Sequence, residues 1–72
     1  MYVNKKITLD DDNTYIVIEE VNVDNNTYLC LVNSTNDEDI TFVEIKDNKA
    51  VPIEDELFDK KIFPLFMEKF NA

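Results

Sequence analysis

The chain contains no glycine, no histidine and no tryptophan, and its seven basic residues are all lysine. Each absence removes a class of chemistry. Without glycine, neither a phosphate-cradling P-loop nor a dinucleotide-binding turn can be written in the chain. Without histidine, and with Cys30 as the single cysteine, no four-ligand zinc pattern can be assembled. No imidazole is available to activate Ser34 or Cys30 as a nucleophile. Cys30 has no internal disulfide partner, so it reads as a small buried hydrophobe in a strand and fits a reducing compartment. The longest apolar run is about five residues, against the ~20 that a membrane-spanning helix needs. Nothing reads as a secretory signal, and the expected setting is the cytoplasm.

What is present is acid. Sixteen Asp and Glu residues against seven lysines leave a net charge of −9 over 72 residues. Residues 10–56 hold 14 of the acids and only two lysines, Lys46 and Lys49. Such a surface repels phosphate, which excludes nucleic acid and anionic membranes as direct partners. A hydrophobic fraction of 44%, with five Phe and three Tyr, supplies enough bulk for one folded domain spanning 1–72. That length is near the lower limit for folding on a hydrophobic core alone.

Asn/Asp-rich clusters at 10–13, 24–26, 33–39 and 47–48 separate runs rich in β-branched and aromatic residues. The pattern predicts strands near 5–9, 14–21, 27–33, 40–46 and 49–53, the last short or at an edge because Pro52 has no N–H to donate. Tight hairpins need residues at positive φ, and after glycine Asn and Asp tolerate it best. Asp12-Asn13, Asn25-Asn26 and Asp47-Asn48 are the expected turn pairs. Connections this short make neighbouring strands antiparallel. From Glu54 the period becomes helical, with Phe58, Ile62, Phe66 and Phe70 every four residues. Acids lead this segment and lysines follow, as the helix dipole favours. Pro64 should push Phe63 off helical angles and kink or break the segment there. The fold class is α+β: a four- to five-stranded antiparallel β-meander with a C-terminal amphipathic helical segment.

The strands near 27–33 and 40–46 are apolar on both sides: Tyr28, Cys30 and Val32 against Leu29 and Leu31, and Ile40 and Phe42 against Val43 and Ile45. One helical segment covers one face of a sheet. The other face is either closed by curling the sheet into a small roll or buried by a homodimer or partner.

The succession ITLDDDNTY, VDNNTYLCLVN and EDITFVEIKDNKAVPIEDE, followed by an amphipathic helix, resembles the YrzB-like family of small acidic cytosolic proteins of low-GC Gram-positive bacteria. The resemblance spans nearly the whole chain. It departs in lacking glycine in the first turn and in its aromatic, proline-interrupted tail. It implies a meander plus helix and a cytosolic setting, and it carries over no catalytic residue.

The acid clusters invite a metal reading, which fails on spacing. An EF-hand loop needs glycine at its sixth position and glutamate at its twelfth; counted from Asp10 these are Tyr15 and Val21, and from Asp37 they are Phe42 and Asn48. No metal, no cofactor and no enzymatic activity are expected. In a meander, alternate turns fall at the same end of the sheet. Asp10, Asp11, Asp12, Asp37, Glu38 and Asp39 should therefore form one negative rim, joined along the sheet by Glu19, Glu20 and Glu44. The expected role is a small interaction protein that presents these carboxylates to the basic, nucleic-acid-binding surface of a partner protein such as a nuclease. Phage-type anti-CRISPR and anti-restriction inhibitors work in this manner, as DNA mimics. The alternative is a self-associating protein in which the acids serve solubility only. If the crowded turn carboxylates repel one another, stability should rise as pH falls from 7 toward about 5.

Overall fold

In the computed structural model, which describes residues 2–72, five strands form one antiparallel sheet in the order of the sequence. They are β1 (Lys6–Thr8), β2 (Thr14–Val23), β3 (Asn26–Asn33), β4 (Asn36–Lys46) and β5 (Lys49–Val51). The chain then stays helical through α1 (Asp55–Leu57), a π-helical turn (Phe58–Ile62) and α2 (Phe63–Phe70). This is the expected meander with a C-terminal helix.

The turns use positive φ as the missing glycine requires, with a shift. Asp24 and Asn25 (φ 52° and 68°) make the β2–β3 turn, and Asp47 and Asn48 (φ 51° and 65°) make the β4–β5 turn. The expected pair Asn25-Asn26 is thus displaced by one residue, because Asn26 already pairs with Val23. In the first turn Asp12 alone is left-handed (φ 64°), and Asn13 is not. There the backbone N–H of Asn13 donates to Asp11 Oδ1 at 2.9 Å, an Asx turn that closes the loop without a second strained residue.

The third turn departs most from expectation. Asn33 Oδ1 accepts from both the N–H and the hydroxyl of Thr35, at 2.9 and 3.0 Å, so Ser34-Thr35 is the whole loop. Extended structure therefore resumes at Asn36, and Asp37, Glu38 and Asp39 belong to β4 rather than to a turn. The ladder steps from Val32↔Ile40 to Asn33↔Asn36, so these three acids bulge out of the pairing with β3.

Both faces of the sheet are buried within the chain. A second bulge explains how. β2 pairs Val17↔Leu31 and then Glu19↔Cys30, which leaves Ile18 without an opposite residue. Odd-numbered β2 residues before Ile18 face one side, and those after it face the other. Tyr15 and Val17 join Leu29, Leu31 and Val43 in one core, packed against Ile7 of β1, Leu9 just after it, and Ile45 and Ala50 from β4 and β5. Val21 joins Tyr28, Cys30, Ile62 and Phe66 in the other, under the helix. Residues from both ends of the meander meet on the first core, which marks the sheet as a curled half-barrel. Of the two ways to bury the second face, the roll is the one the chain adopts.

The helix corrects one expectation. Phe63 keeps helical angles (φ −58°, ψ −44°), with Pro64 directly after it in the first turn of α2. The geometry changes earlier, where the Phe63 N–H donates to the Phe58 carbonyl across a π turn. Pro64 cannot donate to Lys60, and its ring would crowd that carbonyl. The wider π turn relieves the crowding without ending the helix. Glu54 caps the start by accepting from the Leu57 N–H at 3.0 Å and the Glu56 N–H at 3.3 Å.

Candidate functional site

The site is the end of the sheet where the β1–β2 connection meets the start of β4. Two acid clusters far apart in sequence converge there on one phenol. The Tyr15 hydroxyl lies 3.1 Å from Asp11 Oδ2 and 3.3 Å from Asp39 Oδ2, and donates its proton to one of them at a time. The ring itself is core, 4% exposed, so the hydroxyl is held rigidly between the two carboxylates. Asp39 Oδ2 also accepts from Asn33 Nδ2 at 3.1 Å. Asn33 therefore both closes the third turn and anchors the bulge.

Around this clasp Asp10, Asp12, Asp37 and Glu38 are exposed. Among the described residues, the ion pairs are Lys60–Glu56, Lys61–Asp24 and Lys69–Glu19, and all three involve the helix. None reaches Asp10–Asp12 or Asp37–Asp39. The charge is segregated: among the described residues the ion pairs sit at the helix, and the opposite cluster makes none.

Three of the sequence-expected residues are placed elsewhere. Glu44 is 7% exposed, on the helix-covered face opposite Tyr28, where its charge helps burial to raise the Tyr28 hydroxyl above its ordinary value of 10.0. Glu19 faces Lys69 at 3.8 Å. Glu20 accepts from the Tyr2 N–H at 2.9 Å and from Asn22 Nδ2 at 3.0 Å. These three do not extend the rim along the sheet; they are tied into the fold. Even-numbered Glu44 shares a face with Phe42, a placement set by register, and the expectation of an exposed strand acid took no account of the helix above it.

Tyr15, absent from the expected set, is the residue that organises the site. Its sequence signal was an aromatic directly following a polar turn, which reads equally well as plain core.

Two carboxylates, Asp11 in the cluster and Glu20 outside it, move opposite to the direction that mutual repulsion would give. The Asn13 backbone N–H, followed by the side chains of Asn13 and Tyr15, holds the Asp11 carboxyl below its ordinary 3.8. The Asn22 side chain, followed by the Tyr2 N–H, holds Glu20 below 4.5. Depressed carboxylates stabilise the fold fully above their unfolded values and lose that contribution as pH falls through the folded ones. The melting temperature is therefore expected to stay level from pH 7 to about 5 and to fall below about 4.5. Thermal melts across that series check this, and a steady climb from pH 7 to 5 would restore mutual repulsion as the dominant effect. At the other core, burial pushes the Cys30 thiol up to about 11. It is inert at neutral pH and packs as a hydrophobe.

No cluster of three or more His, Cys, Asp or Glu side chains among the described residues has the geometry to hold a metal ion. Among the described residues no helix is long and apolar enough to cross a membrane. No protein-family model, curated protein or solved structure matches the chain.

Proposed function

We propose that this protein is a small acidic interaction module. It presents the carboxylates of Asp10, Asp11, Asp12, Asp37, Glu38 and Asp39 to the basic, nucleic-acid-binding surface of a partner protein, and so inhibits or regulates it. The observation that carries this reading is the Tyr15 clasp, which draws two separate acid clusters to one end of the sheet. The segregated ion pairs support it, since a surface acid without a cation keeps its long-range field. A cluster of this kind steers a basic partner into place and competes with phosphate for its groove. Inhibitors of nucleases carried by phages or other mobile elements would use such a surface, and the resemblance to YrzB-like proteins suggests the same cytosolic setting. The role needs no catalytic group, cofactor or metal.

The test replaces only the acids that do no structural work. An Asp10→Asn/Asp12→Asn/Asp37→Asn/Glu38→Gln variant leaves the Tyr15 clasp intact. Proteins retained from a bacterial lysate by the wild type at low salt should be nucleic-acid-binding proteins and should elute as salt rises. Association of a purified retained protein should slow by roughly tenfold or more with the variant. Retention that ignores salt, or that survives the four substitutions, rejects charge presentation.

A further inference from the structure

We infer that the outer edge of β4 at Ile40–Val43 accepts an extended segment of a partner protein as an added β-strand. The occupant is a stretch that alternates Lys or Arg with apolar side chains. The inference rests on the reading above, because it names how a basic partner would be held.

β5 ends before Pro52 and pairs only with Glu44, Ile45 and Lys46, so β4 is unpaired on that side from Val43 backwards. The two-residue turn Asp47-Asn48 makes Lys46↔Lys49 a hydrogen-bonded pair. In an antiparallel strand the direction of the backbone groups alternates. Lys46, Glu44, Phe42 and Ile40 therefore direct N–H and C=O outward, while the odd residues serve β3. Among the described residues no bond outside the regular ladders reaches Ile40 or Phe42. Further along, the Glu38 N–H is taken by Asn36 Oδ1 at 3.1 Å. The free donors and acceptors are thus confined to Ile40 and Phe42.

That edge opens on a groove of about 710 Å³, lined by Thr41, Phe42 and Val43 of β4, by Leu9, Asp10 and Asp11, and by Lys49 to Pro52 at its β5 end. The inserted strand would lie beside Asp10, Asp11 and the bulged Asp37–Asp39, carboxylates that outnumber the groove's one lining cation, Lys49, so basic residues suit it and acidic ones do not. On the helix-bearing face, cross-strand pairing places Ile16, Val32 and Ile40 in one row. Ile40 is 51% exposed, leaving the row open at this edge. An apolar side chain of the added strand would extend the row. Backbone pairing supplies affinity in such additions, and alternate side chains supply specificity.

A second copy of this chain is a poor occupant. Two copies meeting at this edge would each bring a net charge of −9 to the contact. The bulge and its acids are the means by which an edge refuses its own kind.

The experiment uses the full chain with two short capped peptides, one alternating lysine and valine and the other glutamate and valine. Amide exchange at Ile40 and Phe42 should be fast in the free protein and slow by about tenfold or more with the basic peptide alone. An Ile40→Pro variant removes one outward donor from an edge position, where proline is tolerated, and should bind the basic peptide at least tenfold more weakly. If that variant fails to fold, the exchange pattern of the wild type decides. Salt-sensitive binding without protection of Ile40 and Phe42 overturns strand addition and leaves charge presentation standing. Protection of both amides that is indifferent to salt supports strand addition and removes charge presentation. Protection by the acidic peptide, or no binding of either, overturns the inference.

Discussion

Phe66→Ala is expected to leave most of the chain unfolded at 25 °C. Phe66 is the largest of the fully buried side chains, at 0% exposure. It is the contact through which α2 grips the sheet, with its ring centroid 5.1 Å from Phe42 and 6.4 Å from Phe70. Truncating a buried Phe costs about 3–5 kcal/mol from lost transfer energy and the cavity left behind. Domains of this size commonly have no more than about 3–5 kcal/mol from a single core, so the loss is comparable to the whole. Phe70→Ala is the control. That ring is 44% exposed, and its removal should cost roughly 1 kcal/mol or less. Urea titration of the three proteins checks the order. A loss of under about 1 kcal/mol for Phe66→Ala would mean that the helix does not seal that face.

Leu31→Ala should cost about 2–5 kcal/mol, on the opposite side of the same sheet. Leu31 is 0% exposed in the core shared with Tyr15, Val17, Leu29 and Val43. No helix covers that face; it is closed by the curl that brings Ile7, Leu9 and Ala50 against it. The substitution therefore probes the roll directly. If the burial is intramolecular, the unfolding midpoints of wild type and variant are independent of protein concentration. A midpoint that rises with concentration would show the face closed by a second copy instead. Because β3 contributes to both cores through alternate residues, Leu31→Ala and Phe66→Ala should each give one cooperative transition. Separate loss of helix and sheet would contradict that coupling.

The two faces also show why the local and the tertiary readings differ. Apolar residues on both sides of residues 28–32 announced a sheet buried twice, since alternation is a property of the chain itself. Whether a curl or a partner buried the second side depended on Ile18. An isolated exposed isoleucine carries no local sign of a bulge, which exists only relative to the strand opposite. The same holds for Asp37–Asp39. Their composition reads as a turn, and only the Asn33 side chain, by closing the loop at Ser34-Thr35, turns them into bulged strand. Pro64 was legible as a disturbance of the helix, but its relief through a π turn depends on hydrogen bonds made before it.

Composition by itself determined the meander, the use of Asn and Asp where glycine is missing, and the exclusion of zinc and phosphate-loop chemistry. Those follow from short-range sterics and from which functional groups exist in the chain. The alternation of turns already put Asp10–Asp12 and Asp37–Asp39 at one end, but the tertiary structure decided what joins them and which other acids stay out. Tyr15 joins Asp11 to Asp39, the latter 24 positions from Tyr15 in sequence, a contact no local pattern shows. Glu19, Glu20 and Glu44, just as acidic, are drawn into the fold, because register and the helix above them give them other neighbours.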